Sequence, residues 1–201
     1  MISPADPPVS DPRPSFLPAP YRGAFWEPGA PFLFFHENPI QPEARPIVYT
    51  RGDFLTLALK AAGVLKRLGI ERGARFLNAF GANSPVDLAF RLGAALTGVT
   101  PVTLNWQADT PERAAYKASL SKVCLMLTDG LLDAAVIEEV SAARPGIKIY
   151  EAGELPSEQI PQRLPEMEGP AGEAEKIVIF TSGTTGDPKG VVLTWKAYDV
   201  N

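Results

Sequence analysis

"IVIFTSGTTGDPKGVVLT", residues 177–194, sets a loop of Gly, Ser and Thr with a single Lys between two apolar, β-branched runs. Such runs fit strands, so the stretch reads as strand, loop, strand. Gly183 and Gly186 let the backbone turn and bring N–H groups close to an anion. Thr181, Ser182, Thr184 and Thr185 add four hydroxyls in five positions, and Lys189 adds a point charge suited to an oxyanion. Pro188 stiffens the exit. The chemistry suits phosphate; a Ser/Thr/Gly hairpin without a ligand is the alternative at this level.

The loop is not a Walker A motif. Counted from Gly183, the sixth position is Pro188 instead of Gly, and Gly190 stands where the Mg²⁺-binding hydroxyl is needed. A Walker loop also opens a helix, whereas "GVVLT" continues as a strand.

Upstream, strands and helices alternate. "IVYT" (47–50) is a short strand, and Thr50 with Asp53 forms a capping-box pattern. Phe54, Leu57, Ala61, Val64, Leu65 and Leu68 recur at helical spacing up to Gly69, a natural stop. "ARFLNAF" (74–80) reads as a buried strand. A helix follows with Ser84 as cap and Pro85 in its first turn, then the strand "TPVTL" (100–104). Thr110 and Pro111 repeat the cap signature. "VCLMLTD" is a strand that includes Cys124, "GLLDAAVIEEVSAARPG" a helix, and "IKIYEA" a strand. The alternation predicts an α/β fold, with strands and helices in a layered, mostly parallel sheet.

Four regions follow. Twelve of the 21 prolines fall at or before Pro46, so residues 1–46 are expected as an extended, irregular strap anchored by aromatics such as Phe25, Trp26 and Phe32. Residues 47–152 form the α/β core. Residues 153–174, rich in Pro and Glu, read as a surface connection. Residues 175–201 hold the loop hairpin and the first turns of another helix.

Bulk properties exclude several classes. A net charge of -4 gives no basic footprint for nucleic acid. One cysteine excludes an internal disulfide framework, and one histidine, His36, excludes a His-rich metal site. No run approaches the roughly 18 apolar residues of a membrane span. The start "MISPADPPVSDPRP" lacks a basic end and an apolar h-region, so cytoplasm is expected.

"FTSGTTGDPKGVVLT" resembles the signature of the adenylate-forming superfamily: acyl-CoA synthetases, firefly-type luciferases and peptide-synthetase adenylation domains. The usual form is Tyr-Thr-Ser-Gly-Thr-Thr-Gly-x-Pro-Lys-Gly-Val, matched here from Thr181 to Val191 with Phe180 in the Tyr place. Residues 47–129 are similar to the region upstream in that family, including "NS" at 83–84 and "TLN" at 103–105. Thr103 replaces the usual Pro, and Trp195 stands where many acyl-CoA synthetases have His.

The resemblance implies the N-terminal part of the large domain of an adenylate-forming enzyme. It implies an ATP-dependent carboxylic acid–CoA ligase, with Mg²⁺ and CoA, that releases pyrophosphate. It assigns Thr181, Ser182, Gly183, Thr184, Thr185, Gly186 and Lys189 to the β- and γ-phosphates of ATP. It places the adenine pocket, the ribose-binding Asp and the catalytic Lys after Asn201. The chain is therefore expected to be a fragment, inactive alone and prone to self-association. The alternative is a non-catalytic module that binds nucleotide, polyphosphate or a protein partner and has inherited the loop.

Overall fold

The computed structural model describes residues 24, 27–37, 45–153, 155, 173–181 and 188–199. Two strands stand apart from the main sheet. β1 (Pro31–Phe35) pairs antiparallel with β2 (Ile47–Thr50). A strand inside the Pro-rich segment departs from the irregular strap expected there. Pro31 occupies the strand's first position, where its missing N–H is tolerated. Phe32 then stacks on Phe54 of the first helix, with ring centroids 5.0 Å apart.

Local signals set the helix starts. Before α1 (Arg51–Arg67), Thr50 Oγ1 accepts from the Asp53 N–H at 3.1 Å, and the Asp53 carboxylate accepts from the Thr50 N–H at 3.0 Å. Gly69, just past the end, takes a φ of 65°, which suits a residue without Cβ. Ser84 caps α2 (Pro85–Thr97) by accepting from the Val86 N–H at 3.1 Å. Thr110 caps α3 (Pro111–Leu120), and Asp133 caps α4 (Ala134–Ala143).

The main sheet contains β3 (Arg75–Ala79), β4 (Thr100–Thr103), β5 (Leu125–Thr128), β6 (Lys148–Glu151), β7 (Glu175–Thr181) and β8 (Lys189–Thr194). Their order is β6-β5-β3-β4-β7-β8. Every pairing is parallel except β7 with β8. The short helix α5 (Trp195–Asp199) follows β8, as expected from "TWKAYDVN".

The sheet is covered on both sides. Phe76, Phe80, Leu125 and Leu127 pack against α1 and α2. Their neighbours Leu77, Ala79 and Met126 face the other way, against α3 and α4. This is the period of two expected of strands with both faces buried. Leu155, two residues into the expected surface connection, is buried in the first core. Residues 154 and 156–172 of that connection lie outside the described residues.

Cys124 sits one residue ahead of β5 and is half-buried, where a buried strand residue was expected. Its thiol donates to the Arg75 carbonyl at 3.5 Å, and burial pushes its pKa up. His36 is exposed just past β1.

Topology creates one natural crevice. From β3 the chain passes through α2 on one face to β4. From β4 it passes through α3 on the opposite face to β5. The loops leaving these adjacent strands diverge, and ligands of open α/β sheets bind where such loops part.

Candidate functional site

The signature loop grows from the β7–β8 hairpin. Phe180 pairs with Gly190, and Thr181 pairs with Lys189. The β-branched runs thus form the two strands read from sequence, and Lys189 opens a strand where a Walker lysine would open a helix. Thr181 and Lys189 are both exposed, opposite each other at the loop's root. Lys189 has no ion-pair partner among the described residues. Ser182, Gly183, Thr184, Thr185 and Gly186 lie outside the described residues.

Beside this root, a cavity of about 360 Å³ opens at the carboxyl ends of β3, β4 and β7. Its size falls in the range of small-molecule sites. Asn78 and Phe80 enter it from β3 and its exit, Asn105 and Trp106 from the turn after β4, and Ile179 and Phe180 from β7. It occupies the crevice that the diverging loops leave.

The charged residues that line the cavity, Asp87, Arg91 and Lys117, are each ion-paired. Arg91 binds Asp87 through Nε at 2.7 Å and Nη2 at 3.1 Å, one helical turn apart on α2. Asn78 Nδ2 donates to the same carboxylate. Lys117 Nζ binds Asp109 Oδ2 at 2.5 Å, and the two side chains are only 6% and 7% exposed. Asp109 Oδ2 also accepts from the Asn105 N–H at 2.7 Å, which holds the turn after β4.

Sequence reasoning did not single out Asn78, Asp87, Asp109 or Lys117 as site residues. Asn78 left a trace, as a polar residue inside the apolar run "RFLNAF". Lys117 left a weaker one, as a lysine on the helix face of Ala114 and Ala118.

At the other end of β7, Glu175 binds Arg75 of β3. Arg75 Nε donates to Glu175 Oε2 at 2.8 Å, and a second bond joins Nη2 to Oε1. Arg75 Nη1 also donates to the Ser121 carbonyl at 3.2 Å. The clasp spans β4 and ties the loop-bearing strand to the centre of the sheet. The hydrogen bond from Arg75 holds the Glu175 carboxyl below its ordinary value. A depressed carboxylate contributes stability above its unfolded pKa and loses it as pH falls through the folded pKa. Both side chains are about a quarter to a third exposed, so the pair is worth about 1 kcal/mol. Urea midpoints of the protein are expected to drop faster than those of Glu175→Gln below about pH 4.5. Parallel curves would show that the clasp carries no net stability.

Trp195, in the place of the usual His, is the first residue of α5 and only 9% exposed. The Lys176 ammonium stands 5.2 Å from its ring centroid. The backbone N–H of Trp195 donates to the Ala174 carbonyl at 3.1 Å. These contacts make it a packing residue at the base of the hairpin.

Among the described residues, no group of three or more His, Cys, Asp or Glu gathers to hold a metal ion. Asp87 and Asp109 each already hold a cation. The described site therefore does not fit Mg²⁺.

The model of the AMP-binding enzyme family matches residues 28–199. The chain belongs to that family. The match covers the sheet, the crevice and the signature hairpin. 4-Coumarate–CoA ligase CCL1 of Humulus lupulus is 30% identical over 161 residues, covering 74% of this chain and 28% of the ligase. The N-terminal domain of FACL13 from Mycobacterium tuberculosis superposes with a TM-score of 0.63 at 25% identity, over 74% of this chain and 38% of that one. O-Succinylbenzoate coenzyme A synthetase (MenE) of Bacillus subtilis, solved with AMP, superposes with a TM-score of 0.70 at 20% identity. That superposition covers 88% of this chain and 42% of MenE, and establishes the shared fold. The chain thus spans less than half the length of each of these relatives. The expected α/β fold, mostly parallel sheet and adenylate-forming family are all found.

Proposed function

We propose that the chain is the N-terminal part of an ATP-dependent carboxylic acid–CoA ligase of the acyl-CoA synthetase type, working in the cytoplasm. In that reaction a carboxylate attacks the α-phosphate of ATP, forming an acyl-adenylate and releasing pyrophosphate. A thiol, with CoA as the expected acceptor, then displaces AMP. The observation that carries the reading is Lys189, without an ion-pair partner among the described residues, paired opposite Thr181 at the root of the signature loop. Thr181, Ser182, Thr184 and Thr185 supply hydroxyl and backbone donors, Gly183 and Gly186 let the backbone approach, and Lys189 supplies charge to the β- and γ-phosphates. Catalysis of this kind is mostly positioning plus electrostatic stabilisation.

The test is calorimetric titration with inorganic pyrophosphate. The chain is expected to bind it, and Lys189→Ala to bind about tenfold more weakly, the loss of one charge-assisted contact. Unchanged affinity in Lys189→Ala would remove the loop from the site and favour the inherited, non-catalytic module. ATP–pyrophosphate exchange by this chain alone is expected to be absent, because its described cavity brings together no metal-holding carboxylates.

Self-association is also expected. Among the described residues β8 is the last strand of the sheet, with Val191 and Val192 each 42% exposed. Sedimentation that stays monomeric as concentration rises would refute it.

A further inference from the structure

We propose that Lys117 is a positioning residue for the signature loop, clamping the loop's root to the turn that leaves β4. Lysine is rarely buried unless paired, and Lys117 lies on the α3 face that carries buried Ala114 and Ala118. Its ammonium meets Asp109 at 2.5 Å and stands 5.2 Å from the centroid of the Phe180 ring. Asp109 holds the Asn105 N–H through the same oxygen. One buried cation therefore joins α3, the turn 105–109 and Phe180.

Phe180 is the residue immediately before Thr181, where the loop begins. Gly190 pairs with Phe180 across the hairpin. A Cβ placed on Gly190 would come within 3.3 Å of the Phe180 ring. The Phe180 ring thus lies near both the Lys117 ammonium and the Gly190 backbone of β8, so fixing the ring bears on both strands where the loop starts. Cation–π attraction strengthens when the cation is desolvated, as this one is. The charges of Lys117 and Asp109 cancel locally, so the effect on a phosphate ligand is one of geometry. A root held in place spares a bound ligand the ordering cost that a wandering loop would impose.

The functional consequence rests on the phosphate reading of the loop; the clamp itself does not. Amide hydrogen exchange on the whole chain without ligand tests it first, in Phe180→Leu and in the charge-neutral double variant Lys117→Met/Asp109→Asn. The double variant leaves no lone buried charge, and Asn keeps an acceptor for Asn105. Exchange at Phe180, Thr181, Lys189 and Gly190 is expected to quicken about 3- to 30-fold in each, with β3 and β5 unchanged. Combining all three substitutions is expected to add nothing further, since both routes break one contact. No quickening, quickening throughout the sheet, or fully multiplicative effects would overturn the clamp.

Pyrophosphate titration then tests the consequence. Both variants are expected to bind about 3- to 10-fold more weakly than the parent chain. Quickened exchange with unchanged affinity would overturn the positioning role. If Lys189→Ala binds as the parent does, the phosphate reading fails instead, and exchange alone decides the clamp.

Discussion

Truncating Asp109 to alanine is expected to lower the stability of the protein by about 3–5 kcal/mol. The loss comes from what is left behind. Lys117 would keep its charge with its side chain only 6% exposed and its carboxylate partner gone. The Asn105 N–H would lose its acceptor at the same time. An ammonium in such a place must either recruit water or give up its proton, and both are costly. The magnitude separates this pair from the Arg75–Glu175 clasp, which water partly screens. With a urea slope of about 2–3 kcal/mol/M, the midpoint should fall by about 1–2 M. Replacing both partners, as Lys117→Met/Asp109→Asn, is expected to cost far less, because no charge is then stranded. A drop under about 1 kcal/mol for Asp109→Ala would mean that Lys117 reaches solvent.

What sequence reveals here divides by distance along the chain. The helix starts at Thr50, Ser84 and Thr110 are legible because a cap is a contact between residues two or three apart. The mostly parallel sheet is legible because alternating strands and helices leave few topologies open. β1 is hidden because the prolines around it argue for irregular chain, while its stability comes from pairing with β2 and from Phe32 meeting Phe54. The signature loop is legible as composition, and its root residues Thr181 and Lys189 fall opposite each other as a hairpin requires. The cavity is not legible. Asn78 and Asp87 meet only where α2 folds back beside β3, and Lys117, 63 residues before Phe180, meets it only once the sheet has set β7 beside β4.

On one face of that sheet, α1 and α2 nearly touch at Gly93. Gly93→Ala is expected to destabilise the protein by up to about 2 kcal/mol. A Cβ on Gly93 would lie 2.8 Å from the Ala58 carbonyl oxygen and 2.8 Å from the Ala62 nitrogen, with the Ala61 methyl at 3.0 Å. Two of these neighbours are helix backbone, which cannot swing aside as a side chain would. Ala58, Ala61 and Ala62 are fully buried, so α1 offers no slack at the crossing. Alanine inside a helix would by itself be favoured over glycine by about 1 kcal/mol. The strain of pushing α1 from α2, about 3 kcal/mol at the upper end for overpacking, exceeds that gain. The displaced helices share the core that supports β3, so the crevice widens with them. The check is a urea midpoint up to about 1 M lower than the parent's. Gly153→Ala, at a position with nothing within 4 Å of the added carbon, should leave the midpoint unchanged. If Gly93→Ala instead matches or exceeds the parent, the helices can separate freely, and the close crossing does not hold the crevice in shape.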